Sequence, residues 1–170
     1  GVEVVIAEEQ GCCGALVHHM GREAQAIDAA KRNVDAWSSA MRHEPLDAIV
    51  VNASGCGTML KDYGHLLRHD EGYRARAENF AGLTKDITEF LSEIELDAPE
   101  QWSDLKVAYH SACSLQHGQR VNAPPRALLK QAGFTVVEVP EGHICCGSAG
   151  TYNILQPRLA EELRNRKISN

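Results

Sequence analysis

Residues 133–147 read GFTVVEVPEGHICCG, and residues 1–14 read GVEVVIAEEQGCCG. Both begin at a glycine, run through a β-branched apolar stretch with the texture of a short strand, and end on two adjacent cysteines and a glycine. The glycine stands 11 positions ahead of the first cysteine in one copy and 12 in the other, a difference that a turn absorbs. The chain therefore carries one strand-to-Cys-Cys-Gly unit twice. That duplication organises everything between the copies.

Working outward, Val2 to Ala7, Asp47 to Ala53, Leu105 to His110 and Phe134 to Val139 read as buried strands, each short, apolar and bounded by polar or glycine-containing turns. Ile27, Ala30, Val34, Trp37 and Met41 recur at helical spacing and predict a helix from about Arg22 to Arg42. Met59, Leu60, Tyr63, Leu66 and Leu67 predict a second, and Leu83, Ile87, Phe90, Leu91 and Ile94 a third. Pro124-Pro125 starts a helix that Gly133 ends, and a last helix starts near Pro157. Strand and helix alternate, so the class is α/β: two related half-modules, each a short parallel sheet flanked by helices. The polar stretch Asp97 to Asp104, which contains Pro99, separates them. The expected division is residues 1–98, a linker over 99–104, and residues 105–170.

Composition narrows the function classes. With 170 residues, 44% apolar and 24% charged, the chain can fold around its own core without cross-links. Its longest apolar stretches fall far short of the ~20 residues of a membrane span, and residues 1–20 lack a secretory pattern, so the cytoplasm is the expected compartment. A net charge of -6 without a lysine- or arginine-rich run argues against a nucleic-acid surface.

Six cysteines remain: Cys12, Cys13, Cys56, Cys113, Cys145 and Cys146. A disulfide framework suits loop-rich secreted chains shorter than this one, so metal or redox chemistry is the expected use. Each group follows a predicted strand and precedes a predicted helix. In parallel sheets such loops gather at the carboxyl ends of the strands, where ligands bind and helix N-termini favour anions. Adjacent cysteines cannot point the same way from a regular element, so each doublet requires an irregular turn, and Gly14 and Gly147 give its backbone room. Thiolate-only ligation suits either an iron-sulfur cluster or structural zinc. His110, His117 and His143 stand two to four positions from a cysteine and keep a mixed Cys/His zinc site open; His18 and His19 either support a ligand from behind or are solvated, and His43, His65 and His69 carry no signal. Projecting Cys113 back and Cys56 forward by one repeat places a further cysteine at about -19 and about 188, so both ends are expected to cut through a repeat of a longer protein.

The stretches Gly11-Cys12-Cys13-Gly14-Ala15, Ala53-Ser54-Gly55-Cys56-Gly57, His110-Ser111-Ala112-Cys113-Ser114-Leu115-Gln116-His117 and His143 to Tyr152 resemble the C-terminal CCG, or cysteine-rich, region of glycolate oxidase (glycolate dehydrogenase) iron-sulfur subunits, and more distantly the CCG-bearing polypeptide of heterodisulfide reductase. The resemblance implies 4Fe-4S-type clusters in the full-length protein, with Cys12, Cys13 and Cys56 as three ligands of one site and Cys113, Cys145 and Cys146 as three of the other. The family's C-x-x-C form is not kept, since Met59 and Leu60 follow Cys56 without a second sulfur. It further implies a subunit that passes electrons from a flavin-binding partner towards quinone, the complex lying peripherally on the inner face of the cell membrane. No substrate chemistry is expected on this polypeptide, and no catalytic residue is assigned. For the chain alone the expectation is zinc, free thiols or an incomplete site, with a scaffolding zinc module holding the flavin subunit as the alternative.

Overall fold

In a computed structural model, residues 1–42, 44–97 and 105–170 are described. They divide into two compact units, Gly1–Phe90 and Leu91–Asn170. The expected linker over 99–104 lies outside the described residues, as does His43.

In the first unit, α1 (Ala15–His19) follows the first doublet and leads into α2 (Glu23–Ala40). Strand β1 (Ile49–Val51) is followed by α3 (Ser54–Lys61), α4 (Tyr63–Leu66) and α5 (Arg74–Leu83). Strand β2 (Thr84–Asp86) pairs in parallel with β1, Ile49 opposite Thr84 and Val51 opposite Asp86, and α6 (Ile87–Glu93) follows it, beginning in this unit and ending past its last residue. The core is the apolar stripe of α2 packed on the helices after β1. Ala26, Ala30, Val34 and Trp37 meet Met59, Leu60, Tyr63, Leu67, Ala77 and Phe80, and Cys13 joins the same cluster. Trp37 stacks on Tyr63 at 6.1 Å between ring centroids and meets Phe80 edge-on at 5.5 Å, arrangements that aromatic quadrupoles favour.

In the second unit, β3 (Lys106–Tyr109) pairs in parallel with β4 (Thr135–Glu138), Lys106 opposite Thr135 and Tyr109 opposite Glu138. Between them lie a π-helix (Ser114–Gln119) and α7 (Ala123–Gln131). The short α8 (Tyr152–Leu155) and the long α9 (Pro157–Ser169) complete it. Pro124 and Pro125 lie in the first turn of α7, where a missing N–H costs nothing, and Gly133 turns the chain with φ 90°.

The α/β class and the parallel strands agree with the sequence reading. Two elements do not. Val2 to Ala7 forms no strand: Val4 and Ile6 are about 80% exposed, and no strand among the described residues pairs with the segment. An apolar extended run becomes a strand only where a ladder satisfies its backbone. Its repeat counterpart, β4, has that ladder in β3. Conversely β2 breaks the helix expected through Leu83, Ile87, Phe90, Leu91 and Ile94: Leu83 ends α5, only Ile87–Glu93 is helical, and Thr84-Lys85-Asp86 between them, without apolar texture, gave no strand signal. Its two ends are buried as polar residues, with the Thr84 hydroxyl donating to the Phe80 carbonyl at 2.8 Å. Asp86 also caps α6: its carboxylate accepts from the Thr88 N–H at 2.9 Å while Glu89 accepts from the Asp86 N–H at 2.9 Å, a capping box.

Candidate metal centres

The two Cys-Cys-Gly loops share their backbone geometry. Gly14 lies at φ 85° and Gly147 at φ 86°, the left-handed region that side chains resist. The Gly14 N–H points at the Cys12 sulfur at 3.5 Å, and the Gly147 N–H at the Cys145 sulfur at 3.3 Å. Each glycine also lies against the backbone of a following helix at an alanine, Ala26 in α2 and Ala160 in α9. A Cβ on Gly147 would stand 2.3 Å from the Ala160 carbonyl oxygen, so the loop fits only as glycine. Even the approach matches: Glu9 and Glu141 both take positive φ a few residues ahead of their doublets. The duplication seen in the sequence is thus a duplication of geometry.

In the first unit the Cys13 thiol lies 3.2 Å from that of Cys56. Cys56 comes from the first turn of α3, directly after β1, as the strand-loop-helix pattern requires. Cys13 is buried, Cys56 half-buried and Cys12 exposed. Burial, above all, pushes the Cys13 thiol up to about 12, and the neighbouring Cys56 and Cys12 add to this. The Tyr63 hydroxyl is pushed up in turn by its own burial and by the charges of all three cysteines. The three sulfurs of this unit are therefore electrostatic neighbours.

The second unit is looser. Cys113 caps the π-helix after β3 and is exposed, while Cys145 and Cys146 are half-buried in the loop after β4. Desolvation raises the Cys113 thiol first, then Cys145 and Cys146, with Lys167 of α9 acting in the opposite sense. Burial most strongly, and then the same lysine, lower the pKa of His110.

Six sulfur donors suit a soft metal centre, and in donor chemistry both trios fit an iron-sulfur cluster or zinc. In position the fit is partial. Among the described residues, no three His, Cys, Asp or Glu side chains are gathered tightly enough to hold one metal ion. The structure brings Cys13 and Cys56 into contact and leaves Cys12 at the loop surface. It sets Cys113 within electrostatic reach of Cys145 and Cys146 without a thiol-thiol hydrogen bond among them. His18 and His19 lie beside each other, 6.1 Å between rings. Among the described residues no histidine joins either trio.

Tyr63, which the sequence reading put on a core stripe, and Asn33, which it did not single out, hold the first loop. Asn33, 2% exposed, accepts from the Gly11 N–H at 2.8 Å and donates to the Cys12 carbonyl at 3.3 Å and the Tyr63 hydroxyl at 3.0 Å. Tyr63, fully buried, donates its hydroxyl to the Cys13 carbonyl at 2.9 Å. The available signal was a single amide among Ala26, Ala30 and Trp37 on the apolar face of α2.

Among the described residues no helix is long and apolar enough to cross a membrane. The family model for a cysteine-rich domain, CCG, matches residues 1–61 and 107–170. The chain is 40% identical over 169 residues to the glycolate oxidase iron-sulfur subunit of Escherichia coli (strain K12), covering 99% of this chain and 41% of that protein. It is 33% identical over 177 residues to the probable glycolate oxidase iron-sulfur subunit of Bacillus subtilis (strain 168), covering 99% and 38%. Lactate utilization protein A of Geobacillus kaustophilus (strain HTA426) is 29% identical over 171 residues, covering 99% and 69%. The chain thus spans well under half the length of the two glycolate oxidase relatives. No solved structure matches it.

Proposed function

We propose that this chain, which belongs to the cysteine-rich CCG domain family, is the cluster-holding part of an iron-sulfur subunit that relays electrons from a flavin-bearing dehydrogenase partner towards quinone. The donor is glycolate or a related 2-hydroxy acid, oxidised on the partner. The complex lies on the cytoplasmic side, peripheral to the cell membrane. The carrying observation is the pair of matching Cys-Cys-Gly turns, each glycine N–H aimed at the first sulfur of its doublet. The names of the two glycolate oxidase relatives support the glycolate and iron-sulfur parts of this reading.

Cys12, Cys13 and Cys56 serve the first site and Cys113, Cys145 and Cys146 the second, within modules spanning 1–98 and 105–170. Each trio is one sulfur short of the four that a 4Fe-4S cluster takes, so a further ligand comes from outside these six. A bound cluster supplies one-electron storage at a potential tuned by hydrogen bonds to its sulfurs and by burial. The chain's own contribution is local. Glycine N–H groups stabilise sulfur charge, while burial holds Cys13 as a thiol until a cation displaces its proton. Loading therefore releases protons.

The test is anaerobic reconstitution of the full reading frame with iron and sulfide. A brown protein with a reducible paramagnetic signal is expected, and Cys13→Ser or Cys146→Ser should each remove part of it. A colourless protein holding stoichiometric zinc would instead identify a structural zinc module that scaffolds the flavin subunit.

A further inference from the structure

The first Cys-Cys-Gly loop has three backbone groups that face inward, the Gly11 N–H and the carbonyls of Cys12 and Cys13. Two buried side chains answer all three. Asn33 takes the first two, Tyr63 takes the third, and the Asn33 amide donates to the Tyr63 hydroxyl, so the two act as one clamp. A buried amide that makes three hydrogen bonds has no spare freedom. Tyr63 is fixed further by its stack on Trp37.

The second unit provides the contrast within the same chain. The residue that follows Ala160 at the spacing with which Asn33 follows Ala26 is Lys167. Its ammonium donates to the carbonyls of Glu141 at 3.3 Å and Gly142 at 3.2 Å, upstream of the doublet. Among the described residues no side chain bonds the carbonyl of Cys145 or Cys146, and no thiol there makes a hydrogen bond to another. The clamped loop is the one whose sulfur touches its partner from a distant helix.

We propose that Asn33 and Tyr63 are positioning residues of the first sulfur site: they hold the doublet loop so that Cys13 meets Cys56 before any metal arrives. The proposal rests on reading those cysteines as ligands, but its test does not need iron. Phenylarsine oxide condenses with two nearby thiols, forming two As–S bonds and releasing water, with no change in oxidation state. In the full chain carrying Cys12→Ser, the arsenic-bridged Cys13–Cys56 peptide pair is quantified by mass spectrometry after proteolysis.

Tyr63→Phe removes the hydroxyl and keeps the ring. The bridging rate should fall about tenfold, the lower end of what groups supporting metal ligands contribute to a metal site. Amides of α2 should keep wild-type hydrogen exchange in Tyr63→Phe, which a loss of the first unit's fold would not allow. Asn33→Ala should give a fall at least as large, and Tyr63→Phe decides alone if that variant does not fold. Unchanged Cys13–Cys56 bridging in Tyr63→Phe overturns the proposal. Bridging that depends on the clamp in a protein that then takes up no iron would sink the electron-relay reading and leave the clamp standing.

Discussion

Replacing Gly147 with alanine isolates the physical demand of the Cys-Cys-Gly turn. Two costs add. At φ 86° a side chain is disfavoured by about 1–2 kcal/mol. The new Cβ would also start 2.3 Å from the Ala160 carbonyl oxygen, where ordinary contact begins at 3.4 Å. Helix α9 or the loop must therefore withdraw by about 1 Å, at an overpacking cost of about 1–3 kcal/mol. The sum is about 2–5 kcal/mol. Gly14→Ala meets the same φ penalty, but its nearest neighbours stand at 3.2–3.3 Å, so a few tenths of an ångström suffice. Its cost should be about 1–3 kcal/mol. Because the chain has two compact units, a single melting curve would blend them. Hydrogen exchange read by mass spectrometry separates them: amides of α9 should exchange at least about tenfold faster in Gly147→Ala, and those of α2 should not. Wild-type exchange in α9, or a larger effect from Gly14→Ala than from Gly147→Ala, would refute the reasoning.

Three further outcomes follow from the same geometry. Arg166 pairs with Glu141 and, with Asn170, holds its carboxyl down to about 2 from the usual 4.5; the pairing therefore favours the folded second unit above pH 4.5 and is lost as pH falls towards 2. An NMR titration of Glu141 should move back towards 4.5 in Arg166→Met, and high salt should weaken the shift because the group is exposed. In the metal-free chain, iodoacetamide at about pH 8 should modify Cys13 far more slowly than an unstructured cysteine, since only the thiolate reacts and burial keeps Cys13 protonated to about pH 12; Lys167→Met should slow Cys113, whose pKa the ammonium lowers, and equal rates with and without Lys167 would contradict that electrostatic influence. Asp86→Ala removes the cap of α6 and its bond from the Thr88 N–H, a loss of about 1–2 kcal/mol measurable by urea unfolding of the first unit.

Periodicity located the elements that bury apolar faces, because burial is what periodicity records. Ile27, Ala30, Val34 and Trp37 marked α2, and the β-branched runs marked β1, β3 and β4. It misled at both ends of the same rule. Val2 to Ile6 has strand texture and no partner among the described residues, while Thr84-Lys85-Asp86 has a partner and no strand texture. Pairing is a tertiary fact. The cysteine loops were legible because only a glycine tolerates φ near +85° with helix backbone behind it. Asn33 and Tyr63 were not: Tyr63 lies on an apolar stripe as a core residue does, Asn33 belongs to no sequence pattern, and the backbone groups they answer come into view only in the fold.

The two loops also show how one repeat can be tuned into unlike sites. Local geometry is kept: the same φ, the same glycine N–H to sulfur contact, the same alanine on the helix behind. One difference is a helix position, neutral and buried as Asn33, cationic and partly exposed as Lys167. A neutral clamp orders thiols without altering their charge, whereas an ammonium stabilises anionic sulfur at a distance. Exchanging the two residues should exchange those properties. Asn33→Lys would put a cation in a pocket that leaves it unpaired beside Tyr63, and should cost the first unit several kcal/mol. Lys167→Asn should fold, since the lysine donates only to two loop carbonyls, and should raise the Cys113 pKa in a titration followed by thiolate absorbance. An unchanged Cys113 titration in Lys167→Asn would mean that the repeats differ in packing alone.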